Sequence, residues 1–130
     1  MTDPIADMLI RIKNAQAVRK DAVSFGYSKI KFEIAKLLER AGYAGQVERK
    51  GKKNAKLIEM RLLYGEDGAP KVSGARRVSK PSRRLYRGHR EIYPLQGGLG
   101  ISVYSTPKGL MTNKEAKRAK LGGEVLFEIW

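Results

Sequence analysis

ISVYSTPKGLMTNKEAKRAKLGGEVLFEIW, residues 101–130, carries most of the information about fold class. It opens on Ile101 to Tyr104, a short apolar stretch suited to a strand, and turns at Ser105-Thr106-Pro107-Lys108-Gly109, where hydroxyl residues, proline and glycine cluster. Thr112-Asn113-Lys114-Glu115 has capping-box spacing: a hydroxyl that can accept from the backbone three residues on, and a carboxylate that can reach back. A short basic helix comes next, and Gly122 and Gly123 are expected to end it. Glu124 to Trp130, rich in branched and aromatic side chains, closes as a strand. The order predicts a mostly β unit with one short helix.

Upstream, Gly97-Gly98-Leu99-Gly100 leads into that first strand. Before it, residues 71–90 hold eight basic side chains (Lys71, Arg76, Arg77, Lys80, Arg83, Arg84, Arg87, Arg90) and no acidic one, so the segment should seek phosphate. Val72, Val78, Leu85 and Tyr86 are interleaved with them, which predicts a segment anchored on a core. Gly65-Glu66-Asp67-Gly68-Ala69-Pro70 is the densest cluster of turn formers, and composition changes across it. The expected organisation is therefore a unit over residues 1–66 and a second over 67–130.

The first unit opens with a helix. Asp3 can cap it, Pro4 suits its first position, and Ile5, Met8, Leu9 and Ile12 recur on one face. Val23 to Tyr27 is expected as a strand, and Ser28 as the cap of a second helix burying Ile30, Ile34, Leu37, Leu38 and Ala41 before a stop at Gly42. Phe32 falls on the opposite face with no partner evident. Strands over Gln46 to Lys50 and Lys56 to Tyr64 come after it, joined by Gly51-Lys52-Lys53-Asn54. The predicted fold class is α+β: an N-terminal α-β-α-β-β unit packed against a mostly β C-terminal unit with one short helix.

Composition narrows the function. Lys and Arg number 27 against 13 Asp and Glu, a formal charge of +14 that calls for a polyanionic partner. A membrane surface is the main rival polyanion. No apolar stretch approaches the roughly 20 residues of a spanning helix, and Met1-Thr2-Asp3-Pro4 lacks a basic signal-peptide region, so no membrane partner and a cytoplasmic location are expected. Cysteine is absent from the sequence, which removes disulfides, thiol nucleophiles and cysteine-based zinc sites together.

Enzyme chemistry finds little to work with. The single histidine, His89, sits in an arginine-rich segment and is expected to be exposed or beside phosphate. A Ser105-His89-Asp67 triad lacks any nucleophile-elbow context. Gly98-Leu99-Gly100 misses the third glycine of a dinucleotide fingerprint and enters a strand instead of a helix. No histidine or cysteine cluster has metal-ligand spacing, so no catalytic residue, metal or cofactor is expected.

What remains is the chemistry of RNA grip: cations for phosphates, planar groups for bases, and small hydroxyl donors near a distorted backbone. Arg76, Arg77, Lys80, Arg83, Arg84 and Arg87 are the expected phosphate contacts. Tyr86, flanked by arginines, is a candidate stacking ring, with a buried tyrosine as the alternative. Ser105 and Thr106 supply hydroxyls, Lys108 a charge at the tip, and Gly109 room for close approach; an ordinary turn is the competing reading.

These residues resemble the bacterial small-subunit ribosomal protein eight family over nearly the whole chain. The most specific strings are Gly98-Leu99-Gly100-Ile101, Ser105 through Thr112, Glu115-Ala116, and Leu121-Gly122-Gly123-Glu124-Val125-Leu126 with the closing Trp130. Asp3 to Met8, Arg11 to Ala15, Ser28-Lys29, Ile34-Ala35, Val78 to Pro81 and Arg83-Arg84 with Tyr86 are similar as well. The resemblance implies a two-part α+β fold and direct binding to the central domain of small-subunit 16S rRNA early in assembly. It implies RNA contacts by Tyr86, Ser105, Thr106, Lys108, Gly123 and Glu124 at an irregular, internally looped helix. Glu124 is otherwise odd on a basic surface, but a carboxylate can accept from base amino groups where lysine cannot.

Four positions depart from the family pattern: Gly26 for proline, Ser82 for glycine, Pro107 in the turn, and Phe127 for cysteine. Pro107 removes one backbone donor beside the expected contacts, so any family hydrogen bond from that amide is lost here. The expected function is that of a non-enzymatic component of the small ribosomal subunit, a monomer among neighbouring ribosomal proteins. Two rivals stay open, a translational repressor acting on its own operon's mRNA and a general DNA-binding protein.

Overall fold

Pro4 begins the first helix, where its missing N–H costs nothing. A computed structural model describes residues 3–95 and 98–130. Helix α1 (Pro4–Ala17) buries Ile5, Met8, Leu9, Ile12, Ala15 and Gln16. Gln16, the polar member of that stripe, is satisfied at both ends. Its amide donates to the Leu63 carbonyl at 2.9 Å and accepts from the Val72 N–H at 3.0 Å.

Strand β1 (Ala22–Gly26) leads to α2 (Lys29–Arg40), capped by Ser28, whose hydroxyl accepts from the Lys31 N–H at 3.3 Å. Ile34, Ala35, Leu37 and Leu38 are its buried residues, while Ile30 and Ala41, expected in the core, are only half-buried at its two ends. Phe32 has found partners on the other face: the Tyr27 ring at 6.0 Å and the Lys36 ammonium at 5.7 Å. Strands β2 (Ala44–Lys50) and β3 (Leu57–Leu62) complete an antiparallel sheet of order β1-β3-β2, with Phe25 opposite Ile58 and Val47 opposite Met60. These elements form one compact unit, Pro4–Ser73.

The second unit is Gly74–Trp130 together with Asp3. It contains β4 (Ala75–Arg77), β5 (Tyr86–Arg87), a 3-10 turn at His89–Glu91, β6 (Ile101–Thr106), β7 (Gly109–Thr112), α3 (Asn113–Ala119) and β8 (Gly123–Ile129). The sheet runs β4-β8-β6-β7, with β5 also paired to β8. Central β8 is buried continuously from Val125 to Ile129, as expected of a strand covered on both faces. Phe127 is fully buried there. Ile92, Tyr104, Ala116 and Val125 form the core beneath α3, with Val78, Leu85 and Met111 packed against it.

Sequence reasoning and structure part at three places in this unit. Ser105 and Thr106 belong to β6, so the turn is confined to Pro107 and Lys108, and β7 emerges from residues expected as turn and cap. Helix α3 has its capping box, with Thr112 accepting from Glu115 N–H and Glu115 accepting from Thr112 N–H. It ends at a left-handed Lys120, φ 57°, before the glycines are reached, and Gly123 opens β8 instead. Of the glycine run before β6, Gly97 lies outside the described residues.

Candidate nucleic-acid interface

Strand β8 organises the expected contact residues because it is paired on both sides. Glu124 stands opposite Tyr86 of β5 on one side and opposite Ser105 of β6 on the other. Directly opposed residues share a face of an antiparallel pair, so Tyr86, Glu124 and Ser105 form a row across three strands. Leu110 of β7 extends it, opposite Ser105. Tyr86 is 66% exposed, and so is a platform and not a core tyrosine. Ser105 is half-buried, and no described neighbour engages its hydroxyl.

Glu124 is not a loose charge. Its carboxylate, mostly covered, meets the Arg84 guanidinium at 3.2 and 3.4 Å, with the arginine largely in solvent. Arg84 thereby stands on the same row and fixes the orientation of an acceptor-only group between an aromatic ring and a hydroxyl.

Thr106 has a different task from Ser105. Its hydroxyl donates to the Gly109 carbonyl at 2.7 Å and accepts from the Lys108 N–H at 3.1 Å, so it is spent on the turn. Pro107 supplies a preset φ, and Gly109 adopts φ 106°, a region that disfavours side chains. Lys108 is exposed at the tip. Gly123 lies opposite Arg87 in β5, and a Cβ there would overlap the Ser105 carbonyl oxygen. The absence of a side chain is what lets β8 and β6 close at the row.

The basic run divides by partner. Arg76 binds the buried Glu128 carboxylate at 2.7 Å, and Arg77 bridges to Asp3 at 3.1 Å while also donating to the Leu126 carbonyl. Arg87 reaches the Tyr104 hydroxyl at 3.3 Å and lies 4.9 Å from the centre of the Tyr93 ring. Partial burial opposes the Arg87 charge, but the Tyr104 hydrogen bond and the fields of Tyr104, Tyr93 and Glu128 more than restore it, and the net shift of its pKa is upward. Lys80 and Arg83 are exposed, and their backbones pair with each other at 2.9 Å in both directions across Pro81-Ser82.

Two residues not singled out from sequence matter here. Tyr93 stacks on Arg87, and the fully buried Ser79 ties down the neck of the Lys80–Arg84 loop through Leu85. A serine and a leucine six positions apart carry no local signature, so nothing in sequence could have found the second. His89 is half-buried in the 3-10 turn. Among the described residues there is no cluster of metal-ligating side chains, and no helix is long and apolar enough to cross a membrane.

The model of the family described as Ribosomal protein S8 matches residues 3–130. The small ribosomal subunit protein uS8 of Persephonella marina is 47% identical over 135 residues, covering 100% of this chain and 99% of the relative. Its counterparts from Caldanaerobacter subterraneus subsp. tengcongensis and Sorangium cellulosum are 45% and 43% identical over 130 residues, covering all of this chain and 98% and 99% of theirs.

Proposed function

This chain belongs to the ribosomal protein S8 family, and from that premise we propose that it is a structural component of the small ribosomal subunit that binds the central domain of 16S rRNA directly. The observation that carries the reading is the row of Tyr86, Glu124 and Ser105 across β5, β8 and β6. It joins a stacking surface, a fixed carboxylate and an available hydroxyl on a domain of strongly basic chain. Phosphate neutralisation alone would not require a carboxylate at the centre of the site. Shape and base-edge recognition of a distorted RNA helix would.

The turn at Thr106 to Gly109 sits at the end of the same row, where Lys108 adds charge and Thr106 holds the backbone in place. Binding energy is the output: an irregular RNA segment is stabilised, phosphate repulsion is offset, and neighbouring subunit proteins assemble on the result. A messenger RNA presenting the same shape would be held by the same surface.

Competition binding tests the reading. A fragment of the small-subunit rRNA central domain should bind at least about a thousandfold tighter than duplex DNA at the same ionic strength, the lower range of typical specificity ratios. Equal affinities would reduce the interface to a general polyanion binder.

A further inference from the structure

The cations of the second unit do not form one set. Arg84 stands with Tyr86 on the face of the row, whereas Arg76, Arg77, Lys80, Arg83 and Arg87 line a separate cleft of about 410 Å³ at the edge of the sheet. Its remaining lining is Val78 and Leu85, which pack against the core on the α3 side. Strand alternation separates the two places: Leu85 and Arg87 point to the side opposite Tyr86.

Glu128 answers Arg76 and Asp3 answers Arg77, but Lys80, Arg83 and Arg87 form no ion pair with a described carboxylate. Three cations without a paired anion thus surround a partly apolar floor. A bare inorganic anion would leave that floor unused. A nucleotide would use both, its phosphate among the cations and its sugar or base over Val78 and Leu85.

Every polar side chain of the lining is a lysine or an arginine, a donor-only set suited to phosphate oxygens. A free nucleotide would find little to hold it, whereas a strand already tethered at the row arrives at high effective concentration. The cleft is also built in advance. The Lys80–Arg83 turn is closed by two backbone hydrogen bonds, and its neck is closed by Ser79 on Leu85.

We propose that this cleft takes a nucleotide of a second RNA segment, so that RNA straddles the β5 edge of the sheet and is not confined to the Tyr86–Glu124–Ser105 face. The proposal rests on the RNA-binding reading above.

The absence of cysteine from the sequence allows a direct test. Ser82→Cys, at the exposed tip of the Lys80–Arg83 turn, and Pro107→Cys, at the exposed tip of the β6–β7 turn, can each carry a tethered hydroxyl-radical source on the full chain. Bound to central-domain rRNA, the two should cut different segments. Lys80→Ala with Arg83→Ala should remove the Ser82 cuts, keep the Pro107 cuts, and lower the salt slope of binding by roughly 1.5 log units, the value for two phosphates. Cutting of one shared segment from both tips, or none from Ser82→Cys, overturns the second site while leaving the first. Pro107→Cys silent on rRNA, together with an unmodified chain that prefers rRNA no more than duplex DNA, overturns the RNA reading itself.

Discussion

The Ser79 hydroxyl serves both backbone groups of Leu85, accepting from its N–H at 2.8 Å and donating to its carbonyl at 3.1 Å. Ser79 is fully buried, so the pair is a closed neck from which Lys80 to Arg84 project into solvent. Replacing Ser79 by alanine strands the Leu85 N–H beside the core, while the Leu85 carbonyl keeps the Val125 N–H at 2.9 Å. An unpaired buried polar group costs about 1–3 kcal/mol. Ser79→Ala should therefore lower stability by about 2 kcal/mol, seen as a reduced urea midpoint with an unchanged slope. Affinity for rRNA should fall further than the unfolded fraction explains, because the loop loses its fixed base.

The hydroxyls of Ser105 and Thr106 are adjacent in sequence but should separate cleanly in experiment. Thr106→Val removes two hydrogen bonds that hold Lys108 and Gly109 and should cost about 1–2 kcal/mol, which Thr106→Ser restores. Ser105→Ala breaks no hydrogen bond made by a described residue and should leave stability within about 0.5 kcal/mol. Its effect should appear in rRNA affinity alone. Urea unfolding and binding isotherms on the three variants decide the matter; a stability loss in Ser105→Ala as large as that in Thr106→Val would remove the distinction.

Local signals are legible in the sequence because cause and effect lie close together. Ser28 before α2 and the Thr112–Glu115 capping box announce helix starts, since cap and helix lie within four residues. Strands β4 and β5 are three and two residues long, basic, and strands only because β8 pairs with them, so no periodicity could reveal them. Strand β7 is hidden by residues that also make good turn and cap formers. The row of Tyr86, Glu124 and Ser105 depends on pairings between distant segments; residue type singles out Tyr86 and Ser105, and only the family resemblance adds Glu124 to them. The division of the arginines is equally out of reach, since Arg76 meets Glu128 52 residues away and Arg77 meets Asp3 across 74.

In the first unit, Lys50 lies 2.8 Å from Glu59 across β2 and β3. The hydrogen bond that Lys50 donates to Glu59 draws the Glu59 carboxyl below its ordinary range and raises Lys50. A depressed carboxyl stabilises the fold above its unfolded pKa and loses that contribution as pH falls through the lower folded value. A raised lysine stabilises below its unfolded pKa and loses it as pH rises through the higher folded value. The stability gap between wild type and Glu59→Gln should thus be flat between roughly pH 5 and 10 and close at both ends. Lys50 is exposed and Glu59 partly so, and the gap should be small and shrink in high salt. Urea unfolding across pH measures it; a gap persisting at pH 2 would mean packing, not charge, is responsible.

Glu124 allows a test in which two readings predict opposite signs. If its carboxylate merely holds Arg84, then Glu124→Gln removes a negative charge, releases an arginine toward phosphate and should tighten RNA binding. If the carboxylate accepts from base amino groups at the centre of the row, the glutamine presents one acceptor and an unwanted donor where two acceptors stood. Hydrogen bonds to charged groups are worth about 1.5–3 kcal/mol, so rRNA affinity should then fall roughly ten- to a hundredfold. Binding to scrambled RNA, which depends on charge, should rise in either case. The expected outcome is weaker binding to the rRNA site together with stronger binding to scrambled RNA, measured at one ionic strength. Tighter binding to both would assign Glu124 to the protein's own architecture and leave recognition to Tyr86, Ser105 and the turn.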